Sequence, residues 1–213
     1  MLINEIFYSI QGEGLSVGKP AVFVRLGGCN LKCKWCDTKY AWHPKYSDNK
    51  SWSIEKIIKE VKKYSCKHLV ITGGEPLLQQ DEIKVLLSRL KGYNVEIETN
   101  GSIACKIFGL IEQINCSPKL KNSGNLPYLL RVKPDNKKVL YKFVVQNRED
   151  FHEISTFIRK NKIPKEKVYL MPEGATRDTI LKRSKWLIEI CKKEGYNFSP
   201  RLHIMMYGNK RAV

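Results

Sequence analysis

Three cysteines fall within eight positions of the stretch GGCNLKCKWCDT (27–38): Cys29, Cys33 and Cys36. A structural zinc site normally takes four protein ligands, with cysteines paired at two- to four-residue spacing. No fourth cysteine stands nearby; the next is Cys66, and the next histidine is His43. Three thiolates in one short loop suit three corners of a cubane iron–sulfur cluster, leaving the fourth iron open to a substrate or cofactor. Gly27 and Gly28 allow the sharp wrap such a loop needs. The triplet therefore favours a cluster over zinc.

A second stretch, ITGGEP (71–76), combines Gly73 and Gly74, which permit close backbone approach, with a carboxylate at Glu75 that can meet an ammonium group. Pro76 can open a helix at its first turn. Alone, the stretch is equally an ordinary strand–turn–helix. The same holds for ETNG (98–101), SPK (117–119) and MPEG (171–174), since Asn-Gly and Ser-Pro supply turns without any ligand.

These stretches must be positioned by regular elements. Short β-type runs at 21–26, 68–74, 94–101, 114–118, 139–146 and 168–174 predict strands, and helical spacing predicts helices over 53–64, 79–91, 149–160 and about 177–194. Ser53 is the expected N-cap of the first helix and Gly92 the stop of the second. Strand–helix alternation predicts an α/β fold with a largely parallel sheet. Several strands are nearly continuous apolar runs, as a sheet covered on both faces requires. About six strands and four helices are too few for a closed eight-fold barrel, so the expectation is a partial, open TIM-like barrel of about six mostly parallel strands with few helices. Each motif then sits at the carboxyl end of a strand, where parallel α/β folds place their sites. The stretch 119–138, rich in Pro, Asn and Gly, reads as a long loop, and long irregular loops are often functional.

The whole chain sets outer bounds. Its 213 residues suffice for a substantial core, and an apolar share of 42% with 28% charged residues fits a globular protein. The expectation is one domain, 1–213, with an N-terminal substrate-binding segment and a C-terminal tail closing the pocket. No apolar run approaches the roughly 20 residues needed to span a bilayer. MLINEIFYSIQGEG lacks the pattern of a secretory signal, so a cytoplasmic location is expected, with no membrane partner. Seven cysteines, three of them clustered, point to metal or redox chemistry in a reducing compartment. The net charge of +17 invites a nucleic-acid reading, but 29 of the 38 basic residues are lysines scattered from Lys19 to Lys210. Arginine is the residue favoured for bidentate phosphate or base recognition. Solvated lysine faces are the expectation, without direct nucleic-acid binding.

The triplet after a first strand, with Trp35 just before the third cysteine, resembles the radical S-adenosylmethionine superfamily, and ITGGEP resembles its GGE motif. That resemblance implies a [4Fe–4S] cluster on Cys29, Cys33 and Cys36 whose open iron is chelated by S-adenosylmethionine. Trp35, Gly73, Gly74 and Glu75 then belong to the cofactor site. So do Thr99, Asn100, Ser117 and Lys119, as candidates for its ribose and carboxylate. Met171, Pro172, Glu173 and Gly174 are candidates for contacts to adenine.

NEIFYSIQGEG followed by GKPAVFVRLGGCNLKCKWCDT is similar to the 7-carboxy-7-deazaguanine synthase family, from residue 4 to about 119 and more weakly to the end. The resemblance implies that 6-carboxy-5,6,7,8-tetrahydropterin is rearranged to a 7-deazapurine. Ile10, Gln11, Gly12 and Glu13 would meet the pterin's guanidine-like edge, Arg25 would clamp its carboxylate bidentately, Thr72 would hydrogen-bond the ring, and His203 would join from the tail. Thr38 is where the family binds Mg²⁺ through a hydroxyl oxygen, a hard ligand for a hard cation. The family often ends Arg-Gly-Val, whereas this chain carries Ala212.

The implied reaction starts when the reduced cluster cleaves the sulfonium to a 5′-deoxyadenosyl radical. Hydrogen abstraction from C6, ring contraction, return of the hydrogen and loss of ammonia follow. It needs an electron donor such as flavodoxin, and the family is dimeric. Two rivals stand beside it: an activase placing a glycyl radical on a partner enzyme, in which QGEG has no role, and a zinc-binding RNA module.

Overall fold

The computed structural model describes residues 1–134 and 137–213; residues 135 and 136 of the expected 119–138 loop lie outside the described residues. Its described strands are β1 (Leu2–Ile10), β2 (Pro20–Leu26), β3 (Lys50–Ser51), β4 (His68–Gly73), β5 (Asn94–Thr99), β6 (Gln113–Cys116), β7 (Val139–Val145), β8 (Val168–Pro172) and β9 (Asn197–Phe198). They form one open sheet in the order β3-β1-β2-β4-β5-β6-β7-β8-β9. From β2 to β9 every neighbouring pair is parallel, and β1 joins β2 antiparallel. The six expected strands are all present, in chain order, and the sheet does not close.

The helices are α1 (Ile54–Val61), α2 (Gln80–Arg89), α3 (Asp150–Lys160), α4 (Arg177–Glu194) and α5 (Leu202–Tyr207). Ser53 caps α1 by accepting from Lys56 N, as expected, and α4 runs from a Thr176 cap to Gly195 in the left-handed region. Pro76 opens a 3₁₀ turn (76–79) rather than α2 itself, with Glu75 as its N-cap.

Alternation along the strands explains the layers. Val22, Val24, Leu26, Leu69, Ile71, Val95, Ile97, Ile114, Tyr141, Phe143 and Leu170 share one buried cluster with Ile57 and Val61 of α1, Ile83 and Leu86 of α2, Ile154 and Ile158 of α3, and Leu187 of α4. All four longer helices thus pack on the same face, as right-handed crossovers between strands in chain order require. The expectation of apolar cover on both faces is corrected here. On the opposite face only Ala21, Phe23 and Val70 form a small cluster, with Phe7 packed against it, while buried polar and charged side chains occupy the central strands.

Strand β1 was not foreseen. Only Ile3 of its nine residues is buried, and the pairing shifts register between Ile3 and Glu5, so it lacks the alternation that marks a half-buried strand. It matters because it carries the chain to Ile10 at the amino end of β2, opposite Pro20. The QGEG stretch therefore enters the cavity from the far end of the sheet and crosses its open face.

Candidate functional site

The open face of the sheet and the loops at its carboxyl edge enclose a cavity of about 270 Å³. The upper rim begins three residues beyond β2, at Cys29. The cysteine loop is pinned to the glycine turn by Gly74 N donating to Leu26 O (3.1 Å) and Glu75 N donating to Gly28 O (2.9 Å). A Cβ on Gly74 would stand 1.9 Å from Gly28 O, so the glycine is dictated by the approach of one loop to the other.

Each thiol accepts one N–H: Cys29 from Leu31 N at 3.4 Å, Cys33 from Asn125 Nδ2 at 3.1 Å, and Cys36 from Trp42 Nε1 at 3.3 Å. All three cysteines are free and all line the cavity. Burial, with Glu75 and the other two cysteines adding, pushes the Cys29 thiol up to about 11, and burial also raises Cys33. Such thiols become thiolates when iron takes the proton's place. Among the described residues no three His, Cys, Asp or Glu side chains gather as a single-ion site requires. Three free thiols on one cavity are the donor set that three corners of an iron–sulfur cluster would take.

Glu75 is fully buried and lies beneath the rim. Its carboxylate accepts from Thr99 Oγ1 (2.7 Å), Asn100 N (2.7 Å) and Leu77 N (3.0 Å), while burial raises its pKa. It thereby holds Thr99 and Asn100 where they face the cavity. Ser117, Lys119 and Trp35 complete this side: Lys119 Nζ donates to Ser117 Oγ at 2.6 Å and lies 5.4 Å from the centre of the Trp35 ring.

The floor is charged. Lys142, 2% exposed in the middle of β7, donates to Glu13 Oε2 (2.6 Å) and Glu98 Oε2 (2.9 Å). Arg201 donates from Nε to Glu13 Oε1 (3.0 Å), from Nη1 to Gly174 O (2.6 Å) and from Nη2 to Asp37. Gln11 Nε2 donates to Glu96 Oε1 (2.7 Å) and Glu98 Oε1 (3.3 Å), and Asn115 Nδ2 donates to both of these carboxylates. Burial alone would raise Glu13, but Lys142, Arg201 and His203 together hold it well below the usual carboxylate range. Burial raises Glu98, and Glu96 and Glu13 beside it add to the shift, against the pull of Lys142. Burial lowers His203, against the pull of Glu13. Gly12 lets the tail come this close, since a Cβ there would meet His203 Nδ1 at 2.0 Å, and Leu202 N donates to Gly12 O at 2.9 Å.

Arg25 occupies the corner between rim and floor. Its Nε donates to Glu5 Oε1 at 2.7 Å, and its guanidinium carbon lies 5.6 Å from the Phe7 ring centre and 5.8 Å from that of Tyr40. Its two terminal nitrogens carry no hydrogen bond among the described residues, so the planar fork is open to a carboxylate. Thr38 Oγ1 stands 3.5 Å from Cys36 Sγ.

The chain matches the model of the radical SAM superfamily over residues 23–117. It is 36% identical to the 7-carboxy-7-deazaguanine synthase of Pyrobaculum aerophilum, over 99% of this chain and 96% of the relative. The chain belongs to the 7-carboxy-7-deazaguanine synthase family. The protein of that name from Halobacterium salinarum is also 36% identical, over 97% of this chain and 90% of its own. The crystal structure of QueE from Escherichia coli superposes with a TM-score of 0.74 at 27% identity, covering 95% of this chain and 94% of that one. Membership of this synthase family makes the chain a radical S-adenosylmethionine enzyme, which implies a [4Fe–4S] cluster and S-adenosylmethionine. These relatives favour neither the glycyl-radical activase nor the zinc-binding RNA module.

Of the residues expected at a synthase site, the three cysteines, Trp35, Thr38, Gly73, Gly74, Thr99, Asn100, Ser117, Lys119, Met171, Glu173, Ile10, Gln11, Gly12, Glu13, Arg25, Thr72 and His203 line the one cavity. Glu75, Pro172 and Gly174 are not among its lining residues. Sequence reasoning missed Asp37, Glu98, Lys142, Arg201 and Trp42 in the lining. A signal existed for two of them: Lys142 interrupts the apolar run VLYKFVVQ, and Glu98 alternates with apolar residues in NVEIETNG.

Proposed function

We propose that this chain is a 7-carboxy-7-deazaguanine synthase, contracting 6-carboxy-5,6,7,8-tetrahydropterin to 7-carboxy-7-deazaguanine with loss of ammonia, a step of queuosine and other 7-deazapurine biosynthesis. Beyond family membership, the observation that carries it is that the polar floor and the cysteine loop line one cavity. When bound, the cluster and S-adenosylmethionine supply radical abstraction of a hydrogen atom. The protein's part is to hold the pterin in register with them and to exclude water.

Its residues suit that task. Glu13 and Glu98 offer acceptors to the donor-rich edge of a pterin, with Gln11 between them. Arg25 has an open fork for the carboxylate. Lys142 and Arg201 keep Glu13 ionised, so its acceptor character survives burial. Thr99, Asn100, Ser117 and Lys119 hold S-adenosylmethionine in this reading, with backbone at 171–174 for its adenine, and Gly73 and Gly74 beside the methionine part. Thr38 contributes an oxygen to Mg²⁺, supported by its place in the lining beside Asp37; because Asp37 is paired with Arg201, the substrate carboxylate is the expected further ligand.

The same reading carries a low-potential electron donor such as flavodoxin, a homodimer, a cytoplasmic setting and a single functional domain whose tail closes the pocket. The tail's support is that residues 209–213 line the cavity and the Arg211 guanidinium carbon lies 3.9 Å from the Tyr40 ring centre. No helix among the described residues is long and apolar enough to cross a membrane. The test is anaerobic turnover of the carboxytetrahydropterin by reconstituted, reduced enzyme, with and without Mg²⁺. Formation of the deazaguanine and ammonia is expected, faster with Mg²⁺; a fully loaded enzyme that gives neither product overturns the reading.

A further inference from the structure

The 117–134 connection does more than join β6 to β7, and its contact with the cysteine loop has a chemical meaning. Asn125 reaches Cys33 from 92 residues away in sequence. Its amide orientation follows from its partners: Oδ1 accepts from Lys32 N at 2.9 Å, so Nδ2 is the group facing Cys33 Sγ. Nδ2 also donates to Ser123 Oγ (2.9 Å), which itself donates to Leu120 O (2.6 Å). The connection is fastened on both sides. Lys34 N donates to Ser123 O (2.9 Å), Trp35 Nε1 to Asn122 O (3.0 Å), and Asn122 Nδ2 to Val144 O and Asp150 Oδ2 (3.0 Å each). On the other flank Trp42, whose indole nitrogen can only donate, points that N–H at Cys36 Sγ from 3.3 Å.

We propose that Asn125 and Trp42 are positioning residues that raise the reduction potential of the cluster held by Cys33 and Cys36, each through an N–H donated to a thiolate sulfur. This rests on the cluster occupying the cysteine loop, and not on the identity of the substrate. Hydrogen bonds to cluster sulfurs are one of the levers by which proteins set these potentials. A one-electron reduction adds negative charge that spreads onto the sulfurs, so a fixed N–H dipole stabilises the reduced state more than the oxidised one. The third sulfur, Cys29, receives its N–H from the Leu31 backbone, which leaves Asn125 and Trp42 as the side-chain N–H donors among the described residues; the Thr38 hydroxyl, 3.5 Å from Cys36 Sγ, is kept in every variant.

The test uses the full chain, reconstituted anaerobically as parent, Asn125→Ala, Trp42→Phe and the double variant. Iron and sulfide content is measured first. The reduced cluster is then followed by its paramagnetic resonance signal during a potentiometric titration, with neither S-adenosylmethionine nor substrate added. A hydrogen bond to a charged group is stronger than one to a neutral group, and the difference between its strengths in the two charge states sets the shift in potential. The ratio of reduced to oxidised cluster at a fixed potential is therefore expected to fall several-fold in each single variant. In the double variant it is expected to fall about tenfold, equivalent to ~59 mV for one electron. Asn125→Gln, which keeps an amide donor, is expected to recover part of the loss. A fully loaded Asn125→Ala or Trp42→Phe enzyme with the parent's midpoint overturns the assignment for that residue. If Asn125→Ala does not load, Trp42→Phe decides alone: an unmoved midpoint sinks the proposal, and a lowered one supports it. A failed turnover assay with the carboxytetrahydropterin would leave these midpoints untouched, so the two ideas fail separately.

Discussion

The rim and the floor of the cavity are built by opposite means. The rim is made of loops at strand ends, and its working groups are thiols, backbone amides and small polar side chains: Cys29, Cys33 and Cys36, Gly74, Thr99, Ser117. The floor is made of side chains on the central strands, Glu98 and Lys142, met by Glu13 from the QGEG stretch, Asp37 from the cysteine loop and Arg201 from the C-terminal segment, and its working groups are ions. Rim geometry depends on how closely two backbones approach, as at Gly74 and Gly28. Floor geometry depends on charges that need one another, because a buried ion without its partner is costly. The rim should therefore fail by displacement and the floor by loss of charge balance.

The largest expected effect comes from displacing the rim. Gly74→Ala places a Cβ 1.9 Å from Gly28 O and 2.9 Å from Cys29 Cβ, so the cysteine loop must move. Cluster loading after reconstitution is expected to fall more than tenfold, read as iron and sulfide per chain. Gly12→Ala is the matched control on the floor. Its Cβ would meet the His203 ring at 2.0 Å and the His203 backbone nitrogen at 2.9 Å, so the tail must shift there but not the cysteine loop, and cluster loading is expected to stay at the parent level. Equal losses in both variants would mean that rim and floor are not separable.

The floor should fail differently. Among the described residues, Lys142→Met removes the one cation hydrogen-bonded to Glu98 and one of the two hydrogen-bonded to Glu13. Removing one partner of a buried ion pair costs about 3 kcal/mol or more, which for a chain of this size lowers Tm by about 10 °C. Adding Glu98→Gln neutralises the carboxylate left behind and should recover more than half of that loss. Cluster loading is expected to be unchanged in both. A Lys142→Met enzyme as stable as its parent would show that the floor's charges are balanced by solvent rather than by each other.

The same contrast explains what could be read in advance. Rim residues announce themselves because their chemistry is local in sequence: three cysteines in eight positions, two glycines and a carboxylate at a strand end. The parallel strands and four longer helices are equally readable, the strands as short β-type runs and the helices by their period-3.6 spacing. Floor residues meet only after folding. Glu13 and Lys142 are 129 positions apart, and Glu13 and Arg201 are 188 apart. Their one local sign is a polar residue at an alternate position of a central strand, as with Glu96, Glu98, Asn115 and Lys142. The expectation of a sheet apolar on both faces hid that sign. Strand β1 was hidden for a related reason, because a strand with one buried residue has no hydrophobic pattern to show.

A smaller effect separates the two regions by pH. Burial lowers the His203 pKa, so the native state binds this proton less readily than the unfolded chain. Below the ordinary histidine pKa the unfolded state therefore holds more protons, and stability falls as pH falls through that range. Glu13 and Asp37, both held below the usual carboxylate range, add stability that is present at neutral pH and is lost only at much lower pH. On the way from pH 7 to 5, then, His203 bends the curve downward, while Glu98, whose pKa is raised, pulls the other way. His203→Gln should flatten Tm against pH in that window by about 2 °C while leaving the more acidic limb as in the parent. An unchanged slope would remove His203 from the floor's titrating groups.

The smallest effect lies in the tail, whose residues 209–213 line the cavity. Ala212 has φ +55°, in the left-handed region that side chains other than glycine adopt at a cost, and it is the position where the family often carries glycine. Two terms oppose each other in Ala212→Gly. Removing the Cβ relieves strain of about 1 kcal/mol, while the added freedom of the unfolded glycine takes back about 0.4–1 kcal/mol. Global stability should hardly move. What should change is how firmly the tail stays down, since residue 212 lies between Val213, whose carbonyl accepts from Ser9 Oγ, and Arg211, which reaches Glu5, Asp48 and the Tyr40 ring. Amide hydrogen exchange at 209–213 is the sensitive measurement, and slower exchange in Ala212→Gly is expected. Faster exchange would mean that the alanine stiffens the tail more than it strains it, and that the departure from glycine is itself an adaptation of the lid.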